Sequence, residues 1–374
     1  MVDLGDIFRR YGPEYIKKYS DKILGSHRRA INDIANCRTG KLGYHIDSCT
    51  ECGYSHLFFH SCSNRSCPKC HAGRTQKWLE KKSSTLLPVT YFHVVFTLPS
   101  ELRWIVRSNQ QVFYNCLFEA ATYALFKLMA NPLFCGGIPG MIGVLHTWSR
   151  DMNYHPHVHF LIPAGVISKD RLQWLPIKKK FLVPMNKLSD IFRARFMKIA
   201  RKMLPKIEFP QSVWRKQWVV HPKRIASGGR EVQKVLEYLA RYIFRIAITN
   251  NRIVADNDGK ITFKYQDSRT CEWKKMTLPA LKFMSRFLQH VLPSGFHKVR
   301  TYGFLTPQYK DVFWALKFKL EKSKRNKIHN SDINSKNSNY RRCSKCKKGI
   351  MRVVVHVFYT KTNILLVRPP PGKK

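Results

Sequence analysis

The stretch "GMIGVLHTWSRDMNYHPHVHFLIP", residues 140–163, decides the fold. Two apolar runs, "GMIGVLHTW" and "HPHVHFLIPAGVI", flank the polar "SRDMN". That pattern predicts two strands joined by a turn. On the second strand His157 and His159 stand at i and i+2, so both imidazoles face one side while Val158 faces the core. His155 shares their parity but precedes Pro156, where the chain turns easily, so it reads as a neighbour rather than a ligand. If the two strands pair antiparallel, His146 reaches the same face. His93 in "YFHVVF" is another candidate third ligand. Imidazoles with open positions suit a divalent ion that must also bind a phosphate. Strand histidines satisfied by water are the alternative, and three in five residues of a basic chain argue against it.

Outward from that hairpin, helical and extended segments alternate. "VTYFHVVFTLP", 89–99, reads as a buried strand. "NQQVFYNCLFEAATYALFKLMA", "LSDIFRARFMKIARKML" and "EVQKVLEYLARYIFRIAI" carry helical periodicity. "NRIVADNDGKITFKYQD" predicts a β-hairpin turning at Asp258-Gly259. "LPALKFMSRFLQHVLPSGFHKVRTYGFL" predicts a helix and then an extended segment. From about 318 the chain turns polar and Lys/Asn/Ser-rich, as a linker or a tail lying on nucleic acid would be. The fold class expected is α+β: a small central sheet, antiparallel at least in part, with helices against it. Four regions follow: a helical segment at 1–36, a zinc-binding domain at 37–80, a catalytic domain at 88–305, and a basic C-terminal region with a partial zinc knuckle at 306–374.

Charge narrows the partners. The 374 residues hold 67 Lys+Arg against 23 Asp+Glu, a formal net charge of +44. Such an excess repels itself in a compact state and calls for a polyanion. There is no run of about 18 apolar residues to span a membrane, and the N-terminus lacks the apolar core of a signal peptide. Nucleic acid is the partner expected, and the protein reads as soluble. An aromatic content of 13% and long apolar stretches favour an enzyme over a basic structural protein.

Six of the eleven cysteines fall between residues 37 and 70. Cys49-x-x-Cys52 and Cys67-x-x-Cys70 have the spacing of two zinc knuckles, each giving two thiolates to one tetrahedral Zn²⁺. Inert buried cysteines would not explain the pairing. Cys37, His45, His60 and Cys62 are left over, to form a second site, to replace one of the four, or to do neither. Cys343-x-x-Cys346 reads as half a knuckle or as an exposed redox-sensitive pair, followed by His356 but by no second pair. The basic residues of "NRSCPKCHAGRTQKW" suggest that this region touches DNA.

"KVLEYLARYIFR" sets Tyr238 and Tyr242 four apart at helical spacing. Val235, Leu239 and Ile243 form an apolar row. Lys234, Arg241 and Arg245 share the other side with the two phenols and are candidate DNA-binding residues. A phenol ordinarily ionises near pH 10, so a nucleophilic tyrosine needs cationic help. Two tyrosines at this spacing are more often packing residues; the histidine cluster and the charge weigh against that here.

A cysteine knuckle region, HxH on a strand and Y-L-A-R-Y on a helix stand in that order. The chain thereby resembles the two-tyrosine transposases of rolling-circle insertion sequences (the insertion sequence 91 group), in the superfamily of histidine–hydrophobe–histidine endonucleases. The resemblance covers roughly residues 30–305. It rests on "CRTGKLGYHIDSCTECG", "SCSNRSCPKC", "YFHVVFTLP", "LHTWSRDMNYHPHVHFLIPAG", "YLARYIFRIAI" and "KVRTYGFL". It implies a central antiparallel sheet with the histidines on a central strand. It implies that Tyr238 and Tyr242 are nucleophiles that nick and rejoin single-stranded DNA at element ends and target sites through 5′-phosphotyrosine links. It implies that His157 and His159 hold a catalytic Mg²⁺ or Mn²⁺, with His146 as third ligand from the adjoining strand, apart from the structural Zn²⁺. A homo-oligomer is left open. A replication initiator or relaxase using the same chemistry, and a non-catalytic zinc-containing nucleic-acid-binding protein, are the alternatives.

Overall fold

The computed structural model describes residues 2–70, 86–177, 182–225, 246–325, 341–359 and 365–368. Its strands are β1 (Tyr44–Cys49), β2 (Ser55–Phe59), β3 (Tyr91–Thr97), β4 (Gly140–Trp148), β5 (Tyr154–Pro163), β6 (Gly165–Ile167), β7 (Trp174–Pro176), β8 (Val220–Ile225), β9 (Ile253–Asn257), β10 (Lys260–Gln266), β11 (Trp273–Pro279), β12 (Val299–Gly303), β13 (Met351–Tyr359) and β14 (Leu365–Arg368). Its helices are α1 (Leu4–Lys18), α2 (Gly25–Ala35), α3 (Arg103–Ser108), α4 (Gln110–Met129), α5 (Met185–Met203), α6 (Ser212–Arg215), α7 (Ala280–Leu288) and α8 (Lys310–Arg325). The fold is mixed α+β with antiparallel sheets, as the alternation of segments predicts. No described helix is long and apolar enough to cross a membrane.

The central sheet has the order β12-β4-β5-β3-β8, and each neighbouring pair is antiparallel. Period-two alternation gives it two different faces. One face carries Phe92, Val94, Phe96, Val158, Phe160 and Ile162, all 2% exposed or less, against α4 and α5. Helix α4 is apolar nearly all round because it lies in this core, with α5 packed along it. Fully burying one such phenylalanine contributes about 2–3 kcal/mol. The other face carries Tyr91, Ile142, Val144 and Leu161 as a smaller apolar cluster, and the histidines lie beyond it.

A second core joins segments far apart in sequence. Leu4, Ile7, Phe8, Ile31 and Ile34 of α1 and α2 pack with Ile253, Ile261, Phe263, Phe283 and Phe287. Asp3 caps α1 through the backbone N–H groups of Gly5 and Asp6, in a reciprocal capping box. The hairpin β9–β10 turns at Asp258 and Gly259, both at positive φ (48° and 75°), as a two-residue type I′ turn demands. Strand β11 extends this hairpin to three strands. Its "WKKMTLP" leaves most side chains exposed, so alternation does not announce it.

The C-terminal region departs from the expected tail. Residues 310–325 are helical, with Phe313 and Leu316 buried at helical spacing beneath a lysine-rich surface. After residues that lie outside the description, the chain returns as β13. It pairs antiparallel with β1, giving a four-stranded sheet β14-β13-β1-β2.

Candidate active site and metal centres

Strand register builds the histidine group. On β4 and β5, His146 lies opposite His157 and Val144 opposite His159. Directly opposed side chains sit about 4.5–5.5 Å apart at Cβ. Ring centroids are accordingly 5.5 Å apart for His146–His157, 4.5 Å for His146–His159 and 4.8 Å for His157–His159. One ligand nitrogen from each lies within 4.8 Å of the other two.

Neighbours orient these rings. The His155 carbonyl can only accept, so the 2.6 Å contact makes Nδ1 of His157 the donor and leaves Nε2 for an ion. Nδ1 of His159 meets Nε2 of His93 at 2.8 Å, with the rings parallel within 7°. Burial holds the His93 pKa down at about 4, so His93 is neutral and able to accept. Such outer partners fix tautomer and aim in metal-binding histidines. His93 is thus a supporting residue and does not join the group. His155 accepts from Arg103 at 3.0 Å and also stays outside it.

The group opens on a cavity of about 240 Å³ lined also by Trp148, Ser149, Arg150, Arg252 and Ser268. Trp148 stacks on His146 at 4.8 Å. Arg252 donates to the Lys264 carbonyl at 2.8 Å and to the Arg150 carbonyl at 2.6 Å, which ties the β9–β11 sheet to the β4–β5 turn. Sequence patterning does not single out Arg150, Arg252 or Arg103; only their closeness to the hairpin in space does. Three imidazoles without a carboxylate among the described residues suit a transition ion such as Mn²⁺ better than Mg²⁺, which prefers oxygen.

The cysteines divide differently from the expected set. A single tetrahedron of Cys49, Cys52, Cys67 and Cys70 does not form. Cys67 and Cys70 gather with Cys37 and Cys62, whereas Cys49 and Cys52 gather with Cys343 and Cys346. The reason is pairing: β13 lies on β1 and brings the late knuckle to the early one. Sulfur separations are 3.6 Å for Cys37–Cys70 and Cys62–Cys70, 3.7 Å for Cys49–Cys346 and 3.8 Å for Cys52–Cys343. A Zn–S bond of about 2.3 Å gives a tetrahedral S···S edge of about 3.8 Å, whereas a disulfide would need about 2.05 Å. The donor sets therefore fit zinc. Backbone N–H groups of Asn64, Glu51 and Gly349 donate to Cys62, Cys49 and Cys346 sulfurs, each at 3.4 Å. The N–H groups of Gly349 and Lys348 draw the Cys346 thiol down to about 6. Gly349 is required, since a Cβ there would come within 2.3 Å of the Cys49 sulfur.

Lys234, Tyr238, Arg241, Tyr242 and Arg245 lie outside the described residues.

Comparison with known proteins gives the chain its place. The family described as "Transposase zinc-binding domain" matches residues 7–98, and the family described as "Putative transposase" matches residues 140–311. The "Putative transposase y4qJ" of Sinorhizobium fredii (strain NBRC 101917 / NGR234) is 37% identical over 328 residues, covering 83% of this chain and 81% of that protein. The "Transposase for insertion sequence element IS801" of Pseudomonas savastanoi pv. phaseolicola is 28% identical over 308 residues, covering 74% of this chain and 69% of that protein. No solved structure matches with significance. The chain belongs to the transposases of the insertion sequence 91 and IS801 type, with a zinc-binding domain ahead of the transposase domain.

Proposed function

We propose that this transposase nicks and rejoins single-stranded DNA at mobile-element ends for rolling-circle transposition, using tyrosine nucleophiles and a histidine-held divalent ion on a histidine–hydrophobe–histidine endonuclease sheet. The observation that carries the reading is the group His146, His157 and His159 on two adjacent central strands. The ion, Mn²⁺ or Mg²⁺, would polarise the scissile phosphate. His93 and the His155 carbonyl hold two of the rings in the tautomer that offers Nε2. Arg150 and Arg252 at the mouth give a cationic approach for the DNA backbone.

Tyr238 and Tyr242 are our candidates for the nucleophiles, on the strength of Y-L-A-R-Y and membership in the family. A tyrosine oxygen loses its proton and attacks phosphorus. The P–O3′ bond breaks, the 3′ oxygen takes up a proton, and a 5′-phosphotyrosine remains. Rejoining reverses the sequence: a 3′-OH attacks the phosphotyrosine and the phenol is restored. The second tyrosine allows a second strand to be held. Lys234, Arg241 and Arg245 are proposed to contact DNA phosphates. The two cysteine groups are proposed to bind one structural Zn²⁺ each. Work on chromosomal DNA would place the protein at the bacterial nucleoid.

The test is a labelled single-stranded oligonucleotide of element-end sequence incubated with the protein and Mn²⁺ or Mg²⁺. A covalent protein–DNA adduct is expected, absent when Tyr238→Phe and Tyr242→Phe are combined and absent in His157→Ala. A protein that binds the oligonucleotide well and forms no adduct would overturn the enzymatic reading. An adduct that survives both tyrosine changes would overturn the nucleophile assignment alone.

A further inference from the structure

Three histidines outside the transposase site also converge. His45 on β1 lies opposite His356 on β13, and His60 follows β2. Ring centroids are 5.5 Å apart for His45–His60, 5.5 Å for His45–His356 and 6.0 Å for His60–His356. One ligand nitrogen from each lies within 4.8 Å of the others. We propose that His45, His60 and His356 form a third metal site, for Zn²⁺, with its fourth position open to solvent.

The nitrogens have the state such a site needs. Nδ1 of His45 and Nδ1 of His356 are buried and have no hydrogen-bond partner. Buried polar atoms are ordinarily hydrogen-bonded, so two unpartnered ones in one cluster point to a missing partner. Nδ1 of His60 donates to the Leu42 carbonyl at 3.2 Å, which leaves its Nε2 as the ligand atom. Asp47, a buried carboxylate, faces Nε2 of His45 at 3.7 Å. The contact is longer than a hydrogen bond, and Asp47 Oδ1 is also buried without a partner, so this carboxylate sets a negative charge beside the cluster. The backbone is shaped to the cluster. Gly43 sits at φ +86°, and a Cβ there would meet the Val357 carbonyl at 2.1 Å and Nδ1 of His60 at 3.1 Å. Three imidazoles with an open fourth position are a zinc donor set.

The site has a structural consequence. Cys49 pairs with Met351 at one end of the β1–β13 ladder, and His45 pairs with His356 toward the other. The thiolates clamp one end, and the imidazoles clamp the other.

The test uses the full chain in a His157→Ala, His159→Ala background, so that the central histidine group cannot contribute. The protein is stripped with EDTA under conditions that leave thiolate-bound zinc, then titrated with Zn²⁺, and with Co²⁺ for its visible spectrum. One labile equivalent is expected, with Co²⁺ bands that lack thiolate charge transfer. His60→Ala, which lies off the strands, should weaken that equivalent at least tenfold, and His356→Gln should do the same. His56→Ala, on the same sheet face but outside the group, should leave it unchanged. The two mercurial-releasable equivalents report that the cysteine groups remain folded in each variant. No labile equivalent in the background protein, or one that survives both His60→Ala and His356→Gln, would overturn the proposal.

Discussion

The two cysteine groups have the same ligands and opposite surroundings. Cys37, Cys62, Cys67 and Cys70 sit against the apolar core of α1, α2 and α7; Cys37 and Cys67 are fully buried. Arg65, between two of them, donates to the carbonyls of Leu292, Pro293 and Phe296 and fastens the knuckle to the chain leading into β12. Lys69 pairs with Asp3, the cap of α1, at 2.7 Å. Cys49, Cys52, Cys343 and Cys346 instead close a sheet that contributes to none of the apolar clusters among the described residues. Strand β2 is mostly exposed, and so are Leu57, Phe59, Val354 and Phe358. In the first setting a metal would reinforce packing that already exists. In the second it would replace a core, as small sheets that bury little apolar area require.

The largest effect should follow Cys346→Ser. It should release zinc and reduce amide protection in β1 and β13, most at the Cys49–Met351 end, while α4 keeps its protection. The matching Cys67→Ser should leave α1 protected, because Phe8, Ile7 and Leu4 remain buried. Hydrogen exchange on both variants decides the matter: equal loss in α1 and in β13 would erase the difference drawn between the two groups.

Next in size is Phe287→Ala. Phe287 is 2% exposed and meets Phe8 edge-on at 5.5 Å. A cost of about 3–5 kcal/mol is expected in chemical unfolding. Protection of α1 should fall further than in Cys67→Ser, since packing rather than metal holds that helix.

Acid should also act on the packed side. Burial holds the His290 pKa at about 4, while its Nε2 lies 3.0 Å from the Met152 carbonyl and its Nδ1 lies 3.1 Å from Thr147 Oγ1. The unfolded chain takes up a proton near pH 6.5 and the folded chain resists it, so this stability is whole above about 6.5 and lost as pH falls toward 4. His27 and His93 shift in the same direction, also through burial. Unfolding free energies from urea titration at pH 7 and 4.5 should differ less in His290→Gln than in the wild type, by about 2–3 kcal/mol. An unchanged difference would remove His290 from the account.

The smallest effect belongs to Arg10→Ala. Arg10 bonds Asp256 at 2.7 Å, but its side chain is 63% exposed. The Asp256 carboxylate is 2% exposed and keeps its bond from the Tyr11 hydroxyl when Arg10 is removed, so the shift in thermal unfolding should be the least of the set, and one as large as that of Phe287→Ala would mean that α1 depends on its charges as well as its core.

The histidine hairpin could be read from sequence because its partners are close in the chain: "SRDMN" sets the turn, and β-parity sets which rings meet. The turn at Asp258-Gly259 was legible for the same reason. The grouping of cysteines was not. Cys49-x-x-Cys52, Cys67-x-x-Cys70 and Cys343-x-x-Cys346 have identical spacing, so spacing cannot say which knuckles share an ion. Pairing of β1 with β13 decides it, and that contact spans nearly the whole sequence. Three CxxC pairs do not divide into whole four-thiolate sites, and Cys37 and Cys62, the two cysteines left over in the same region, were the available hint. The helix 310–325 was obscured by its lysines, although Phe313, Leu316 and Leu320 keep helical spacing on the side that packs.

Cys346 follows Cys49 by 297 positions. At the usual pace of translation, about 5–20 residues per second, the early knuckle waits roughly 15 to 60 s for the late one to emerge from the ribosome. During that interval Cys49 and Cys52 offer two thiolates without the other half of their site. A chain cut short before Cys343 never acquires that half, however well its central sheet folds. The Cys49–Cys346 site thus forms only in a polypeptide carried through Cys346.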